Sequence, residues 1–189
     1  RYLDNSNSKK PFESSTINKM MPVDMYVGGS EHATMHLLYA RFITKALRDT
    51  GHLNFNEPFK RLYHQGTITK DGAKMSKSKG NTVSPDIFIN QYGSDVFRCY
   101  LMFMGPYDEG GDWNDRGITG IAKFLNRIYK IGDIPLGEND TSIDKIIHKT
   151  LKSVTEDLNN FKFNTAISRM MEMSNAVVSS KTLSEINKS

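Results

Sequence analysis

Pro22-Val23-Asp24-Met25-Tyr26-Val27-Gly28-Gly29-Ser30 is a short apolar-rich run that stops at a glycine pair and then at a residue type that caps helices. It reads as a buried strand with a helix directly behind it. From Glu31 the spacing turns helical: Met35, Leu38, Tyr39, Phe42, Ile43, Ala46 and Leu47 recur at three and four, while Arg41, Lys45 and Arg48 fall elsewhere. Gly51 supplies the C-terminal stop. Phe59 to Thr69 then reads as a second strand, and strand, helix, strand predicts a parallel βαβ unit of the α/β class.

On the N-terminal side, residues 1–18 are mostly polar, with Asp4 to Lys10 and Pro11 in a row, and read as an irregular surface segment. On the other side, Asp71-Gly72 to Gly80-Asn81 reads as an exposed loop bracketed by glycines. Everything beyond it reads as helical. Ser84-Pro85-Asp86 offers an N-cap, a first-turn proline and a first-turn acid for a short helix closed by Gly93, and a second helix runs from Ser94 to Met104. Tyr107 to Trp113 is expected to be a loop and the domain boundary, giving domains 1–110 and 111–189. Three further helices are predicted as an antiparallel bundle. They are Asp115 to Ile131 (Ile118, Ile121, Ala122, Leu125 and Ile128 inward), Ser142 to Leu158 (Ile146, Ile147, Leu151 and Val154 inward) and Asn164 to Val178 (Ala166, Ile167, Met170 and Val177 inward).

The chain has 189 residues, 38% of them hydrophobic and 24% charged, enough for one ordinary domain or two small ones. No apolar run approaches the roughly 18 residues of a membrane span, so no membrane partner is expected. The 25 basic against 21 acidic side chains leave +4, compatible with a polyanionic ligand but not proof of one. A single cysteine, Cys99, and the lack of an apolar signal core make a reducing, cytoplasmic setting the expectation. The chain starts at Arg1, which is expected of a processed chain or of a piece of something longer.

The segment richest in chemistry is Asp71-Gly72-Ala73-Lys74-Met75-Ser76-Lys77-Ser78-Lys79-Gly80-Asn81. Lys74, Lys77 and Lys79, with the hydroxyls of Ser76 and Ser78, follow a predicted strand, and such a group suits a phosphate chain at the carboxyl ends of a parallel sheet. Charge alone equally fits a solvated turn, and the Gly-x-x-x-x-Gly-Lys-Ser/Thr order of a Walker loop is absent. His32 and His36 are one helical turn apart, but Glu31 precedes the pair instead of lying inside it, as the His-Glu-x-x-His zinc pattern demands; no metal site is expected. Met170, Met171 and Met173 read as core and surface filler, Cys99 as a small buried hydrophobe, and His52, His64 and His148 carry no independent role.

Lys74-Met75-Ser76-Lys77-Ser78 is identical to the KMSKS motif of class I aminoacyl-tRNA synthetases, and Lys79-Gly80-Asn81 matches its continuation in the aliphatic amino-acid branch. Val27-Gly28-Gly29-Ser30-Glu31-His32-Ala33-Thr34-Met35-His36-Leu37-Leu38-Tyr39-Ala40-Arg41-Phe42 resembles the leucyl-tRNA synthetase segment that precedes that motif. The likeness continues through Glu57-Pro58-Phe59, His64-Gln65-Gly66, Tyr92-Gly93-Ser94-Asp95, Phe103-Met104-Gly105-Pro106, Trp113-Asn114 and Phe124-Leu125-Asn126-Arg127.

The resemblance implies the C-terminal half of a Rossmann-like parallel-sheet catalytic domain followed by an α-helical bundle, the start of an anticodon-binding domain. It implies Lys74, Lys77, Ser76 and Ser78 as catalytic residues, and Gly28, Gly29, Glu31, His32, Gln65, Gly66, Ile68, Met75 and Lys77 as contacts of ATP. Glu31 would accept hydrogen bonds from the ribose hydroxyls, and His32 and His36 would line the amino-acid pocket. Thr67 stands where the family commonly has methionine or leucine, beside a base contact expected to be main-chain. The implied reaction is ATP-dependent activation of leucine, with Mg2+, and its transfer to tRNA(Leu). None of the five histidines lies in a His-x-Gly-His pattern, so the chain is expected to be inactive without an N-terminal half that carries it. The alternatives are a natural subunit of a split synthetase and a non-catalytic RNA-binding module. The latter would need a basic helical face, whereas Lys123, Arg127, Lys130, Lys145, Lys149 and Lys152 are balanced by Asp133, Glu138, Asp144, Glu156 and Asp157.

Overall fold

In the computed structural model, which describes residues 2–137, 140–180 and 182–184, the N-terminal stretch expected to be irregular contains a helix, α1 (Ser14–Met20), with Ile17 buried. Polar side chains build the approach to it: Asp4 accepts from the Asn7 side chain and the Glu13 N–H, both at 2.8 Å, and Asn7 Oδ1 accepts from the Lys10 N–H at 2.9 Å. Asx oxygens that replace water around a turning backbone look like loop chemistry in a sequence and hold a compact turn in the fold.

The predicted βαβ unit is present but shorter. β1 (Tyr26–Gly28) pairs in parallel with β2 (Leu62–His64), with Gly28 opposite His64. The crossover helix α2 (His36–Asp49) starts at His36 and not at Glu31; Ser30–Ala33 is a separate 3-10 turn, so Ser30 is not its N-cap. Gly51, at φ +79, ends the helix where a side chain would be strained. Glu57 ties the return loop to α2 by accepting from Arg41 at 2.8 and 2.9 Å and from Lys45 at 2.9 Å. These bonds hold the Glu57 carboxyl down at about 2, against an ordinary 4.5.

The apolar stripe of α2 is not covered within this chain. Met35, Leu38, Tyr39, Phe42 and Ile43 are exposed, Tyr39 by 67% and Phe42 by 66%, whereas Thr44 is buried and Leu37, Ala40 and Leu47 are half-buried. Val27 of β1 and Leu62 of β2 are exposed as well. A parallel sheet is stable when both faces are covered, and within this unit, residues 1–65, neither strand has that cover.

Residues 66–189 form a second compact unit. The second predicted strand is divided, since Thr67–Lys70 (β3) belongs to another sheet, of order β4-β3-β5. β4 (Ala73–Lys74) returns antiparallel to β3 through the two-residue turn Asp71-Gly72, both at positive φ, as a type I′ hairpin demands. β5 (Gly110–Asp112) runs parallel to β3, so the expected loop at Tyr107–Trp113 is partly a strand. Composition hid it, because Gly110 and Gly111 carry no strand propensity. They are glycines for room: a Cβ on Gly110, at φ +86, would strike the Thr67 backbone, and one on Gly66 would strike Gly110.

The helices of this unit follow the sequence closely: α3 (Pro85–Tyr92), α4 (Ser94–Phe103), α5 (Ile118–Ile131), α6 (Thr141–Asn159) and α7 (Phe163–Ser179). Trp113 sits at the centre of the core, 4.8 Å from the Phe88 ring and 5.1 Å from Tyr100, among Phe97, Ile118, Ile121, Phe124 and Ile167. Its indole N–H donates to Asp115 at 2.6 Å, and the Tyr100 hydroxyl donates to the Asn114 carbonyl at 2.8 Å, so both polar tips of the core are satisfied. Ile118, Ile121, Ala166, Ile167 and Val177 are buried as predicted, but Ile128 is exposed and Leu151 is 62% exposed; the buried members of α6 are Ile143 and Asp157, the latter paired with Arg169 at 2.7 Å. Cys99 is half-buried, and burial pushes its thiol up. No helix of the described residues is long and apolar enough to cross a membrane.

Candidate functional site

The residues singled out by sequence fall in two groups. Gly28, Gly29, Glu31, His32, His36 and Gln65 lie in the first unit, and Gly66, Ile68, Lys74, Met75, Ser76, Lys77 and Ser78 in the second. In the first group, β1 ends at Gly28, whose carbonyl accepts from His64 Nδ1 at 3.0 Å. A carbonyl only accepts, so that bond places the proton on Nδ1 and leaves Nε2 of the neutral ring as an acceptor. Gly29 is bare because the Glu31 carboxylate folds over it; a Cβ there would overlap the carboxylate itself. His36 Nδ1 lies 3.0 Å from the Tyr26 hydroxyl, and the two rings stack at 5.5 Å. His32 meets His36 edge to face at 6.4 Å, although the two histidines are not on one helix. Buried His32 Nδ1 lacks a hydrogen-bond partner among the described residues, a free polar position beside the glycine pair.

In the second group, β4 delivers Lys74 at the start of the loop. Met75 turns inward against the core, while Lys74, Lys77, Ser78 and Lys79 stay exposed. Lys77–Lys79 is a 3-10 turn closed by Gly80 at φ +66. Ser76 and Ser78 touch through their hydroxyls at 2.7 Å. Asn81 accepts from the Ser76 N–H at 2.8 Å and donates to the Lys74 carbonyl at 3.3 Å. Among the described residues none of the three loop ammonium groups has a carboxylate partner. The result is a braced backbone carrying three unneutralised cations, an arrangement that suits a polyphosphate. Among the same residues no group of three or more histidine, cysteine, aspartate or glutamate side chains is placed to hold a metal.

Sequence reasoning missed three contributors: His64, which it left without a role, Tyr26 and Asn81. Their signal is weak in a sequence, because each acts on a backbone atom or a ring brought close by folding, and only the register Gly28 to His64 exposes the first of them.

The family model of class I tRNA synthetases for isoleucine, leucine, methionine and valine matches residues 3–114. The chain belongs to this family. It is 58% identical over 191 residues to the leucine–tRNA ligase of Clostridium perfringens strain SM101, covering 94% of this chain and 23% of that one. The leucine–tRNA ligase of Clostridium tetani is 52% identical, over 100% of this chain and 25% of its own. Among solved structures, Agrobacterium radiobacter K84 agnB2 LeuRS, in its ternary complex with tRNA and LeuAMS, superposes with a TM-score of 0.82 at 37% identity, over 93% of this chain and 25% of that one. The methionyl-tRNA synthetase of Mycobacterium tuberculosis shares the fold, at a TM-score of 0.65 and 20% identity over 87% of this chain and 35% of its own. This class I synthetase chain therefore spans about a quarter of the length of the leucine–tRNA ligases it matches.

Proposed function

We propose that residues 1–110 are the C-terminal half of a leucine–tRNA ligase catalytic domain and residues 111–189 the start of its helical anticodon-binding domain. Together with the half that carries His-x-Gly-His, the chain activates leucine with ATP and passes it to tRNA(Leu). The observation that carries this reading is the loop of Lys74, Lys77 and Lys79, identical in wording to KMSKS and presenting cations without carboxylate partners among the described residues. The exposed apolar face of α2 supports the need for the other half.

In this reading the leucine carboxylate attacks the α-phosphorus, the bond to the pyrophosphate oxygen breaks, and negative charge moves onto the leaving group. Lys74 and Lys77 hold that charge better in the transition state than in bound ATP, with the Ser76 and Ser78 hydroxyls as added donors, which raises the rate and not merely the affinity. Glu31, poised over Gly29, accepts from the ribose hydroxyls. Gly28, Gly29, Gln65, Gly66, Ile68 and Met75 offer backbone to the nucleotide, and His32 and His36 line the leucine pocket. Mg2+ carried on the ATP phosphates would lower their charge.

The test is leucine-dependent exchange of pyrophosphate into ATP by the chain alone, by the chain with the missing half added, and by the same mixture with Lys77→Ala. Exchange is expected only in the mixture, slowed on the order of 10²- to 10³-fold by Lys77→Ala, the usual loss for one preorganised charge contact. No exchange in an assembled mixture overturns the reading in favour of an RNA-binding piece, and exchange that is indifferent to Lys77→Ala overturns the catalytic role of the loop lysines.

A further inference from the structure

The lysines of the loop extend into solvent, so where their ammonium groups can converge is set by the backbone from Lys74 to Lys77. One side chain braces that stretch at Lys74 and at Ser76, the residue before Lys77. The Asn81 carboxamide accepts from the Ser76 N–H at 2.8 Å and donates to the Lys74 carbonyl at 3.3 Å, closing a clip around Met75. Met75 is itself packed against the core, so the clip joins the lysine loop to the rigid part of its unit. A primary carboxamide is the short side chain that can do both: aspartate has no donor, and serine is too short to span the two groups. Beyond the β4 pairing at Lys74, the loop is supported among the described residues by the Ser76–Ser78 hydroxyl bond at 2.7 Å and by two bonds of the 3-10 turn, from Lys79 N–H to the Ser76 carbonyl at 3.1 Å and from Gly80 N–H to the Lys77 carbonyl at 3.2 Å. None of these last three bonds reaches back across Met75 to Lys74.

We infer that Asn81 is a positioning residue for the Lys74–Lys77 stretch, fixing the two catalytic lysines relative to each other through their backbone without itself touching the nucleotide. The inference rests on the reading of this loop as a polyphosphate site. It assigns to Asn81 a share of the rate and none of the leucine affinity, because the leucine pocket draws on other residues.

Two measurements test it. In hydrogen exchange on the 189-residue chain, Asn81→Ala is expected to speed exchange of the Ser76 amide about tenfold, with the β3 amides unchanged, while Asn81→Asp, which keeps the acceptor, preserves protection. An unchanged Ser76 amide in Asn81→Ala, with the fold intact, overturns the proposal. In pyrophosphate exchange by the assembled mixture, Asn81→Ala is expected to lower kcat about three- to tenfold, the range of one lost backbone hydrogen bond, at unchanged KM for leucine. If Lys77→Ala is slow and Asn81→Ala matches the wild type, the positioning role fails while the phosphate reading stands. If Lys77→Ala is also indifferent, both fall. A rise in leucine KM that accounts for the whole effect of Asn81→Ala refutes positioning in favour of a general structural loss.

Discussion

Phe42 provides a sharp test of whether the apolar face of α2 is a surface or an interface. It is 66% exposed in this chain, so about a third of the residue is removed from water here. Complete burial of such a side chain stabilises by about 1.5–3 kcal/mol, so Phe42→Ala is expected to cost the isolated chain about 1 kcal/mol or less. It leaves no cavity, because no neighbour closes over the ring. If the other half of the catalytic domain covers α2, the same substitution there removes a buried aromatic side chain and leaves a hole, which costs about 3–5 kcal/mol. The difference, about 2–4 kcal/mol, must appear in the association of the two parts, as a Kd weakened about 30- to 10³-fold. Urea unfolding of the chain measures the first quantity, and sedimentation or calorimetric titration of the chain with the missing half measures the second. Phe124→Ala, in the core of residues 66–189, serves as the control that destabilises the chain itself. A loss above 3 kcal/mol for Phe42→Ala in the isolated chain, or an unchanged Kd, refutes the argument.

Three further outcomes follow from single groups. The Glu57 carboxyl titrates at about 2 in the fold and 4.5 when free, so between these values the unfolded chain binds more protons. Its stabilisation is complete above about pH 4.5 and lost as the pH falls toward 2; since Arg41 and Glu57 are both over 40% exposed, the total stays below about 1 kcal/mol, and Glu57→Gln flattens the stability curve in that window. Gly110→Ala drives a Cβ into the Thr67 backbone at a φ of +86 and is expected to cost several kcal/mol, read as a large fall in the urea midpoint with loss of β5 protection in hydrogen exchange. Gly29→Ala displaces the Glu31 carboxylate; in the assembled mixture it is expected to raise KM for ATP while leaving the stability of the chain within about 1 kcal/mol.

The helices after the lysine loop were legible almost to the residue because their punctuation is chemical and local: Ser84-Pro85-Asp86 opens α3, and Gly93 separates it from α4. The loop motif was legible because its wording is literal. The strands were less so. β2 and β3 read as one run because nothing in Phe59 to Thr69 tells which sheet each half joins; that is settled at Gly66, where backbone meets Gly110 more closely than any side chain permits. β5 was invisible because two of its three residues, Gly110 and Gly111, serve by lacking side chains. In α6, Leu151 was taken as inward, whereas the helix turns Asp157 inward to meet Arg169, an ion pair that no apolar period announces. Asn81, His64 and Tyr26 escaped because each works on a group distant in sequence or on the main chain. Glu138, among the acids that balance the helical lysines, lies outside the described residues.

The exposed stripe of α2 differs in kind from these single positions. The periodicity that placed Ile118, Ile121, Ala166, Ile167 and Val177 inside residues 66–189 also runs through Met35, Leu38, Tyr39, Phe42 and Ile43 of residues 1–65, where all five are exposed. In residues 66–189 the exceptions are single positions, Ile128 and Leu151, whereas in α2 a whole stripe is exposed while Thr44 is buried, Leu37, Ala40 and Leu47 are half-buried, and Glu57 holds Arg41 and Lys45. Exposed Val27 and Leu62 belong to the same parallel pair that α2 connects. The pattern is that of a layer written into the sequence as interior and left as surface in this chain. That is the expectation for a piece spanning a quarter of its relatives' length, and it makes α2 the place where the remaining part of a leucine–tRNA ligase is most economically sought.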